Sequence, residues 1–172
     1  MTHPTTSPDH FPVDPEFAAR WYQGWLDAWN SHDPRQVIPL ITEDFILESP
    51  TTRHTGWFVQ GHDATVKYLA YVMNAYPDLK WEQVFTPMYS ATEARAAFYW
   101  RGWGTFSGVL NPPSIKGNGR SFEFSGVEVF DFRGQRATQL RAAYDLLGLM
   151  RQIGVYKGWT ASDAEARKGK QP

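Results

Sequence analysis

Apolar residues recur every fourth position near the start of the chain. An Asp14-Pro15-Glu16 start signal precedes them, and Asn30-Ser31-His32 interrupts them. On a helix they would form one stripe, made of Phe17, Trp21, Trp25 and Trp29. The same start signal recurs at Asp33-Pro34 and predicts a short second helix. A third helix is predicted over residues 62–76, because Pro77 would stop it there.

The later part of the chain is typical of strands. Gly, Pro and Asn clusters separate the apolar and aromatic segments there. The predicted strands cover residues 45–49, 80–89, 95–106, 120–132 and 137–144, with a loop from the first of them to Gly61. Helices come first and consecutive strands follow. This order predicts an α+β fold with helices on one face of an antiparallel sheet.

Composition indicates one domain with an unusual aromatic content. The 172 residues include eight tryptophans, eight tyrosines and eleven phenylalanines, which suit a core, a pocket wall or a subunit interface. We expect a domain over residues 14–155, with polar tails at 1–13 and 156–172. Proline-rich and polar residues at both ends could not pack a core.

Charge and residue usage exclude several classes of function. The formal net charge of −1 comes without a basic stripe, which argues against nucleic acid as a partner. The absence of cysteine excludes a thiolate nucleophile or a thiolate metal site. No stretch approaches the ~20 apolar residues that cross a bilayer. We therefore expect a cytoplasmic protein without a membrane partner, a metal or a cofactor.

Two segments carry a family resemblance. Residues 25–49, WLDAWNSHDPRQVIPLITEDFILES, and residues 126–154, GVEVFDFRGQRATQLRAAYDLLGLMRQIG, resemble ketosteroid isomerases and SnoaL-like polyketide cyclases. Both groups belong to the nuclear transport factor 2-like superfamily. The resemblance implies a cone-shaped fold, in which a strongly bent antiparallel sheet wraps around the N-terminal helices and encloses a pocket. It also implies cofactor-free acid–base chemistry on an apolar carbonyl compound of polyketide, terpenoid or steroid type.

The catalytic residues of the ketosteroid isomerases are only partly matched. Trp25 stands where the resemblance places the oxyanion-binding tyrosine, and Ser49 where it places the proton-abstracting aspartate. Serine is not a general base at neutral pH. Glu128 matches the second acid, which the family keeps protonated as a hydrogen-bond donor.

Other enzymes of this fold match less well. The acidic positions of limonene epoxide hydrolases correspond to Trp103 and Ala142 here, beside Arg101, which argues against epoxide hydrolysis. Asp145 matches the aspartate in the closing motif of the SnoaL-like cyclases. Their Gly-Thr-His triplet is Gly104-Thr105-Phe106 in this chain, so the histidine is missing.

Strand parity identifies candidate groups independently of any family. Glu128 shares its face with Phe122, Phe124 and Phe130, because side chains alternate along a strand. Desolvation in this aromatic row would raise its pKa and make it a general acid or a hydrogen-bond donor. The alternative is that Glu128 has a structural role, either in an ion pair with an arginine or exposed to solvent at the edge of the sheet.

Further candidates come from the neighbouring strands and loops. Arg101 shares a face with Tyr99 and Trp103 and would neutralise Glu128 or hold a ligand oxygen, unless it is a surface residue packed on tryptophan. Leu140, Ala142 and Tyr144 share a face of the last strand, where Tyr144 would donate to a ligand or only fill space. The ligand contacts predicted are Trp25, Trp29, Ser49, His54, Tyr99, Trp103, Phe124, Leu140 and Ala142, and Arg101 is expected to face the same pocket.

Asp145 has two interpretations. It precedes the apolar run LLGLMRQIG, as a helix N-cap does, and it falls on the face opposite Tyr144. The resemblance to the cyclases makes it a catalytic base instead. We keep it among the catalytic candidates with Glu128, Tyr144 and Arg101.

These observations predict an isomerase, cyclase or dehydratase with an apolar pocket. The first alternative is a protein that binds a small hydrophobic ligand without turnover, and the second is an assembly module that uses its sheet face. The segment 95–106 is apolar on both parities. Since a cone buries only one face of a strand, the other face is expected to pair in a homodimer.

Overall fold

The computed structural model describes residues 12–156, so the expected tails lie almost wholly outside the described residues. Val13, expected in the N-terminal tail, is buried and joins the core. No helix within residues 12–156 is both long and apolar enough to cross a membrane.

Local capping explains where the helices begin. Asp14 accepts hydrogen bonds from the backbone N–H groups of Glu16 and Phe17, and Asp33 accepts one from Arg35. The helical elements are α1 (Pro15–Asn30), a 3₁₀ helix (Pro34–Leu40), α2 (Pro50–Thr55), α3 (Gly61–Ala75) and α4 (Leu146–Gln152). The second predicted helix is thus a 3₁₀ helix, and Pro39 inside it lacks the N–H that an α-helix would use.

Helix α2 replaces part of the predicted loop. Ser49 Oγ accepts from the N–H of Thr52, and Thr52 Oγ1 accepts from the N–H of Ser49, which forms a capping box. Gly56 ends the helix in the left-handed conformation at φ 72°. The helix fixes Ser49 and Thr51 at one end of the sheet.

A curved sheet of seven strands forms the second layer. The strands of the protein are β1 (Ile41–Glu48), β2 (Val59–Gln60), β3 (Lys80–Gln83), β4 (Met88–Tyr89), β5 (Arg95–Phe106), β6 (Val109–Leu110), β7 (Ile115–Lys116), β8 (Arg120–Arg133) and β9 (Arg136–Tyr144). The sheet order is β2-β1-β9-β8-β5-β3, and β4 also pairs with β5, while β6 and β7 form a separate hairpin. The α+β fold class is confirmed.

Two details of the sheet differ from the sequence prediction. Strands β1 and β9 pair in parallel, although the remaining pairs are antiparallel. Sequence alternation does not report strand direction, and these two strands are far apart along the chain. The single strand expected at residues 80–89 is divided into β3 and β4 by a segment that contains Pro87, which cannot donate to a ladder.

The register of β5 and β8 decides which side chains face inward. Phe98 pairs with Glu128, Trp100 with Gly126, and Gly102 with Phe124. Directly paired residues share a face of the sheet, so this whole row points to the concave side.

Two apolar clusters fill the concave side of the sheet. The larger one packs the buried face of α1 against β5 and β8, with Trp25 and Phe130 ring centroids 5.2 Å apart and Tyr22 stacked on Phe98 at 3.9 Å. The smaller one lies around Tyr76, Phe122 and α4. A cavity takes its walls from both clusters and so lies between them.

Candidate functional site

The cavity has a volume of about 200 Å³ and mostly apolar walls, with several aromatic residues among them. The aromatic residues that line it are Trp29, Tyr68, Tyr71, Tyr76, Trp81, Trp100, Phe124 and Tyr144. Pro112 and Pro113 of the β6–β7 turn reach it from one side, and Leu146, Leu149 and Met150 of α4 from another. Polar groups are few, as expected for a small-molecule pocket.

Gly126 allows two of these rings to approach each other. A Cβ atom at this position would lie 2.7 Å from the Trp100 ring and 2.8 Å from the Cβ atom of Tyr144. Trp100 and Tyr144 pack with centroids 5.8 Å apart. A side chain at residue 126 would therefore clash with both residues, and glycine permits their packing in the cavity wall.

Glu128 is the one carboxyl-bearing residue among the described residues that line the cavity. It is 9% exposed, and its Oε2 accepts a hydrogen bond of 2.9 Å from the Tyr22 hydroxyl. Oε1 has no hydrogen-bond partner among the described residues. Burial raises the pKa of Glu128 to about 7. Both protonation states are thus populated near neutral pH.

Tyr22 and Trp25 surround the carboxyl on the side of the core. Both groups favour the carboxylate form and oppose the effect of burial on the Glu128 pKa. The buried Trp25 indole N–H has no well-aligned hydrogen-bond partner among the described residues, so it is a weaker donor to Glu128 than the Tyr22 hydroxyl is. Burial, followed by the charge of Glu128, raises the pKa of Tyr22 well above its ordinary value. Tyr22 therefore remains a neutral donor.

Sequence reasoning missed Tyr22. It lies one position after Trp21, on the buried face of α1, and its contact with Glu128 joins residues 106 positions apart in the chain. Helical periodicity could have placed Tyr22 near the core, but it carries no information on a partner in a distant strand.

Four hydroxyl groups form a second polar region, here called the hydroxyl cluster, made of Ser49, Thr51, Tyr68 and Tyr144. Tyr68 Oη lies 2.9 Å from Ser49 Oγ, and Tyr144 Oη lies 2.6 Å from Thr51 Oγ1. All four residues line the cavity. Burial, the largest effect, raises the pKa of Tyr68 well above its ordinary value. Tyr68 can therefore donate to a ligand oxygen without ionising.

Tyr144 of the hydroxyl cluster and Glu128 lie on the neighbouring strands β9 and β8. Glu128 pairs directly with Ala142, and Tyr144 is two residues further along β9 on the same face. Such diagonal neighbours are typically ~7–8 Å apart. A small ligand can therefore face both polar regions at once.

The cavity also contains most of the other predicted ligand contacts. Trp29, Phe124, Leu140 and Ala142 all line it, and His54 lies at its rim with an exposed side chain. Contact of these residues with a ligand remains a prediction.

The positions expected for Tyr99, Arg101 and Trp103 are wrong. These residues pair with Val127, Ser125 and Glu123 and lie on the outer face of the sheet. Arg101 forms ion pairs with Glu82 and Glu123 and packs over the Trp103 ring at 5.3 Å. The residues have the same parity, as predicted, but the opposite row of β5 faces the cavity.

Trp25 is also misplaced by the sequence prediction. It is fully buried in the larger cluster and is not among the residues that line the cavity. Helix α1 places Trp29 at the cavity one turn later. Trp25 acts on the site only through Glu128.

Asp145 is a helix cap and does not line the cavity. Its Oδ1 accepts a 2.7 Å hydrogen bond from the N–H of Gly148 at the start of α4. A Cβ atom at residue 148 would lie 2.2 Å from Asp145 Oδ2, so glycine permits this close cap. The geometry removes Asp145 from the catalytic candidates.

We expect Asp145→Ala to lower stability by ~1 kcal/mol, which is typical for the loss of an N-cap. The melting temperature should fall by a few degrees. Asp145→Asn keeps a capping oxygen and should melt close to wild type. Thermal unfolding followed by circular dichroism measures both variants. A stable Asp145→Asn variant with impaired chemistry would return this residue to the catalytic group.

Among residues 12–156, no group of three His, Asp or Glu side chains is arranged to hold a metal ion.

Comparison with known proteins identifies the family. Residues 22–140 match the model of the SnoaL-like domain. No curated protein matches the chain at a significant level. Solved structures share the fold at low sequence identity. TsrD from Streptomyces laurentii is 20% identical, with a TM-score of 0.69 over 84% of this chain and 99% of its own.

Two further structures have the same architecture. A protein provisionally named a SnoaL-like polyketide cyclase, from Jannaschia sp. CCS1, is 15% identical, with a TM-score of 0.69 over 90% of this chain and 99% of its own. A Catenulispora acidiphila protein with a ketosteroid isomerase-like fold is 15% identical, with a TM-score of 0.64 over 81% and 96%. These similarities confirm the nuclear transport factor 2-like fold. With a family match over residues 22–140, the chain belongs to the SnoaL-like domain family.

Proposed function

We propose that the protein is a cofactor-free acid–base enzyme that moves a proton on a small apolar carbonyl compound, as an isomerase, cyclase or dehydratase does. One observation carries this proposal. Glu128 is a buried carboxyl with one oxygen held by Tyr22 and a pKa of about 7, in the wall of an aromatic cavity. General acid–base groups work best when their pKa lies near the operating pH.

The two polar regions suit different parts of the reaction. Ionised Glu128 takes a proton from the carbon beside the carbonyl through Oε1, which has no other partner among the described residues. The electron pair moves to the carbonyl oxygen and forms an enolate, which the hydroxyl cluster stabilises by donating hydrogen bonds. Glu128 then returns the proton to the same carbon or to a conjugated one, and the second outcome is an isomerisation.

This assignment exchanges the roles that the resemblance suggests. Ser49 belongs to the hydroxyl cluster and holds the carbonyl oxygen, and Glu128 moves the proton. Tyr144 is the hydroxyl donor on the strand next to Glu128. Tyr22 holds the carboxyl from behind and is a positioning residue.

The proposal is tested by exchange of the α protons of acetophenone with D₂O, followed by proton NMR. The protein should accelerate this exchange, and the acceleration should depend on Glu128. Acetophenone is a one-ring ketone with exchangeable methyl protons, so no natural substrate has to be known.

A non-catalytic ligand-binding protein is the second candidate. The described residues that line the cavity include no second carboxylate, and Ser49 caps α2. If acetophenone binds in the cavity without any acceleration of exchange, the binding function replaces the enzymatic one.

We also propose that the outer face of the sheet pairs with a second copy of the chain. Its central residues are apolar, with Tyr99 and Ala143 on either side of Val127. The charged residues around them are already paired within the chain, as Arg95 is with Asp131 and Arg101 with Glu82. An apolar centre with a satisfied polar rim suits a symmetric interface.

Val127→Glu is expected to convert a dimer into a monomer, because a two-fold axis near Val127 would bring the two new carboxylates together. Light scattering coupled to size exclusion at micromolar concentration measures the mass of both proteins. Glu123→Gln, further along β8 on the same face, serves as the control and should leave the dimer intact. A wild-type protein that is only monomeric would contradict the proposal.

A further inference from the structure

The size of the cavity limits the ligand to a small molecule. An engineered cavity of ~150 Å³ holds one benzene molecule. At the same packing density, this cavity of about 200 Å³ holds a ligand of on the order of eight to ten non-hydrogen atoms. This is one six-membered ring with a short substituent. The four fused rings of a steroid need more space than this volume provides.

The walls resist expansion because they are packed against each other. Trp81 lies between Trp29 and Trp100, with centroid distances of 5.3 Å and 4.6 Å, and Phe124 packs 5.0 Å from Trp100. Moving one of these rings would disturb the next. Forcing extra atoms into such packing typically destabilises a protein core.

The charges around the cavity disfavour an anion. No lysine or arginine is among the described residues that line it, and His54 at the rim is the nearest basic side chain of this set. A buried charge is costly unless it is paired. A carboxylate or phosphate inside the cavity would find no cation and would face Glu128.

A cation is disfavoured for a different reason. Among the described residues that line the cavity, Glu128 is the one with a carboxyl group, and Tyr22 already holds one of its oxygens. A buried ammonium group would therefore lose its hydration shell in mostly apolar surroundings with a single acidic partner. An uncharged ligand oxygen avoids both costs. It can accept a hydrogen bond from Tyr144 or Tyr68 of the hydroxyl cluster, or from protonated Glu128.

We infer that the cavity selects an uncharged compound of about one-ring size with a carbonyl or hydroxyl oxygen, and that it excludes carboxylates, phosphates and multi-ring skeletons. The inference rests on the proposed function for the carbonyl group of the ligand. Size and charge selection is nevertheless a binding property, and it can be measured without turnover.

The test uses four probes at pH 6, with binding measured by saturation-transfer NMR and tryptophan fluorescence. Acetophenone, benzoate and benzylammonium are similar in size and differ in charge, while androstenedione is uncharged and has four rings. Acetophenone should bind saturably. Benzoate and benzylammonium should bind at least ~10-fold more weakly, a difference that single-site titration resolves, and androstenedione should not bind.

Replacing either of two alanines on β9 by leucine shows where acetophenone binds. Ala142 lines the cavity, and the next residue, Ala143, is exposed on the outer face. Ala142→Leu fills space in the cavity and should weaken acetophenone binding by ~10-fold, a change readily measured as affinity. Ala143→Leu adds the same atoms on the outer face of the sheet, away from the cavity, and should leave the affinity unchanged even where it weakens the proposed dimer.

Several results would overturn the inference. The first is a charged probe that binds as tightly as acetophenone. The second is androstenedione binding that the Ala142→Leu substitution abolishes. The third is acetophenone that does not bind, or whose affinity is unchanged by Ala142→Leu. Failure of the proposed function has a different signature. If acetophenone binds with the expected selectivity but its protons do not exchange, the inference stands and the enzymatic function fails. If the protein also catalyses proton exchange on androstenedione, the enzymatic function stands and the inference on ligand size fails.

Discussion

Glu128→Gln is expected to slow catalysed exchange of the acetophenone α protons by about 10²- to 10⁴-fold, the usual contribution of a general acid or base. Glutamine has the shape of the acid and can still hydrogen-bond to Tyr22, but it cannot take up a proton. The folded structure should therefore persist. Exchange rates from proton NMR in D₂O, at equal protein concentration, measure the effect.

The matched control is Glu123→Gln, which removes a carboxylate from the outer face of the same strand. Its exchange rate should equal that of wild type. Tyr22→Phe provides a separate readout, because loss of the hydroxyl removes a group that lowers the Glu128 pKa. The midpoint of the pH–rate profile should then move upward from about pH 7. Equal rates for Glu128→Gln and wild type would refute the proton-transfer role.

The second expected result is a fall in wild-type stability between about pH 5 and pH 8, measured relative to Glu128→Gln. The pKa of Glu128 is raised from 4.5 to about 7 in the folded protein. The folded state thus holds this proton more tightly than the unfolded state. The resulting stabilisation is complete below the unfolded pKa and is lost as pH rises through the folded pKa.

The size of this effect follows from the shift. One pKa unit corresponds to 1.36 kcal/mol, so the wild type should lose about 3 kcal/mol relative to the variant. Urea unfolding at several pH values between 5 and 9 gives the free energies of both proteins. Groups that titrate in both proteins largely cancel in the difference, and Tyr22, whose pKa is raised, stays neutral in this range. Parallel stability curves would show that Glu128 is not held protonated by burial.

Alternation and capping patterns were sufficient for the local structure. Asp14 and Asp33 start helices where the sequence predicts, and Glu128 lies in the inward row of β8 with Phe122 and Phe130. Each of these features depends on residues that are close together in the chain, so each can be predicted from the sequence. Ser49-Pro50 is a start signal of the same kind, and α2 begins there in place of the predicted loop.

The inward face of β5 could not be read from its sequence. Both rows of this strand are apolar, and only its register with β8 assigns Phe98 and Trp100 to the concave side of the sheet and Tyr99 and Arg101 to the outer face. Parity groups residues correctly, but it does not choose the buried side when both rows are hydrophobic.

Sequence alone was enough for the α+β class and for the position of the acid in an aromatic row, because each follows from local periodicity. For Asp145 it left two interpretations open, and the observed hydrogen bond from the N–H of Gly148 decided for the cap. Tertiary structure alone decided the Tyr22–Glu128 hydrogen bond, the hydroxyl cluster and the cavity volume. These depend on contacts between residues distant in the chain. Packing of separate elements sets such distances, and no local pattern encodes them.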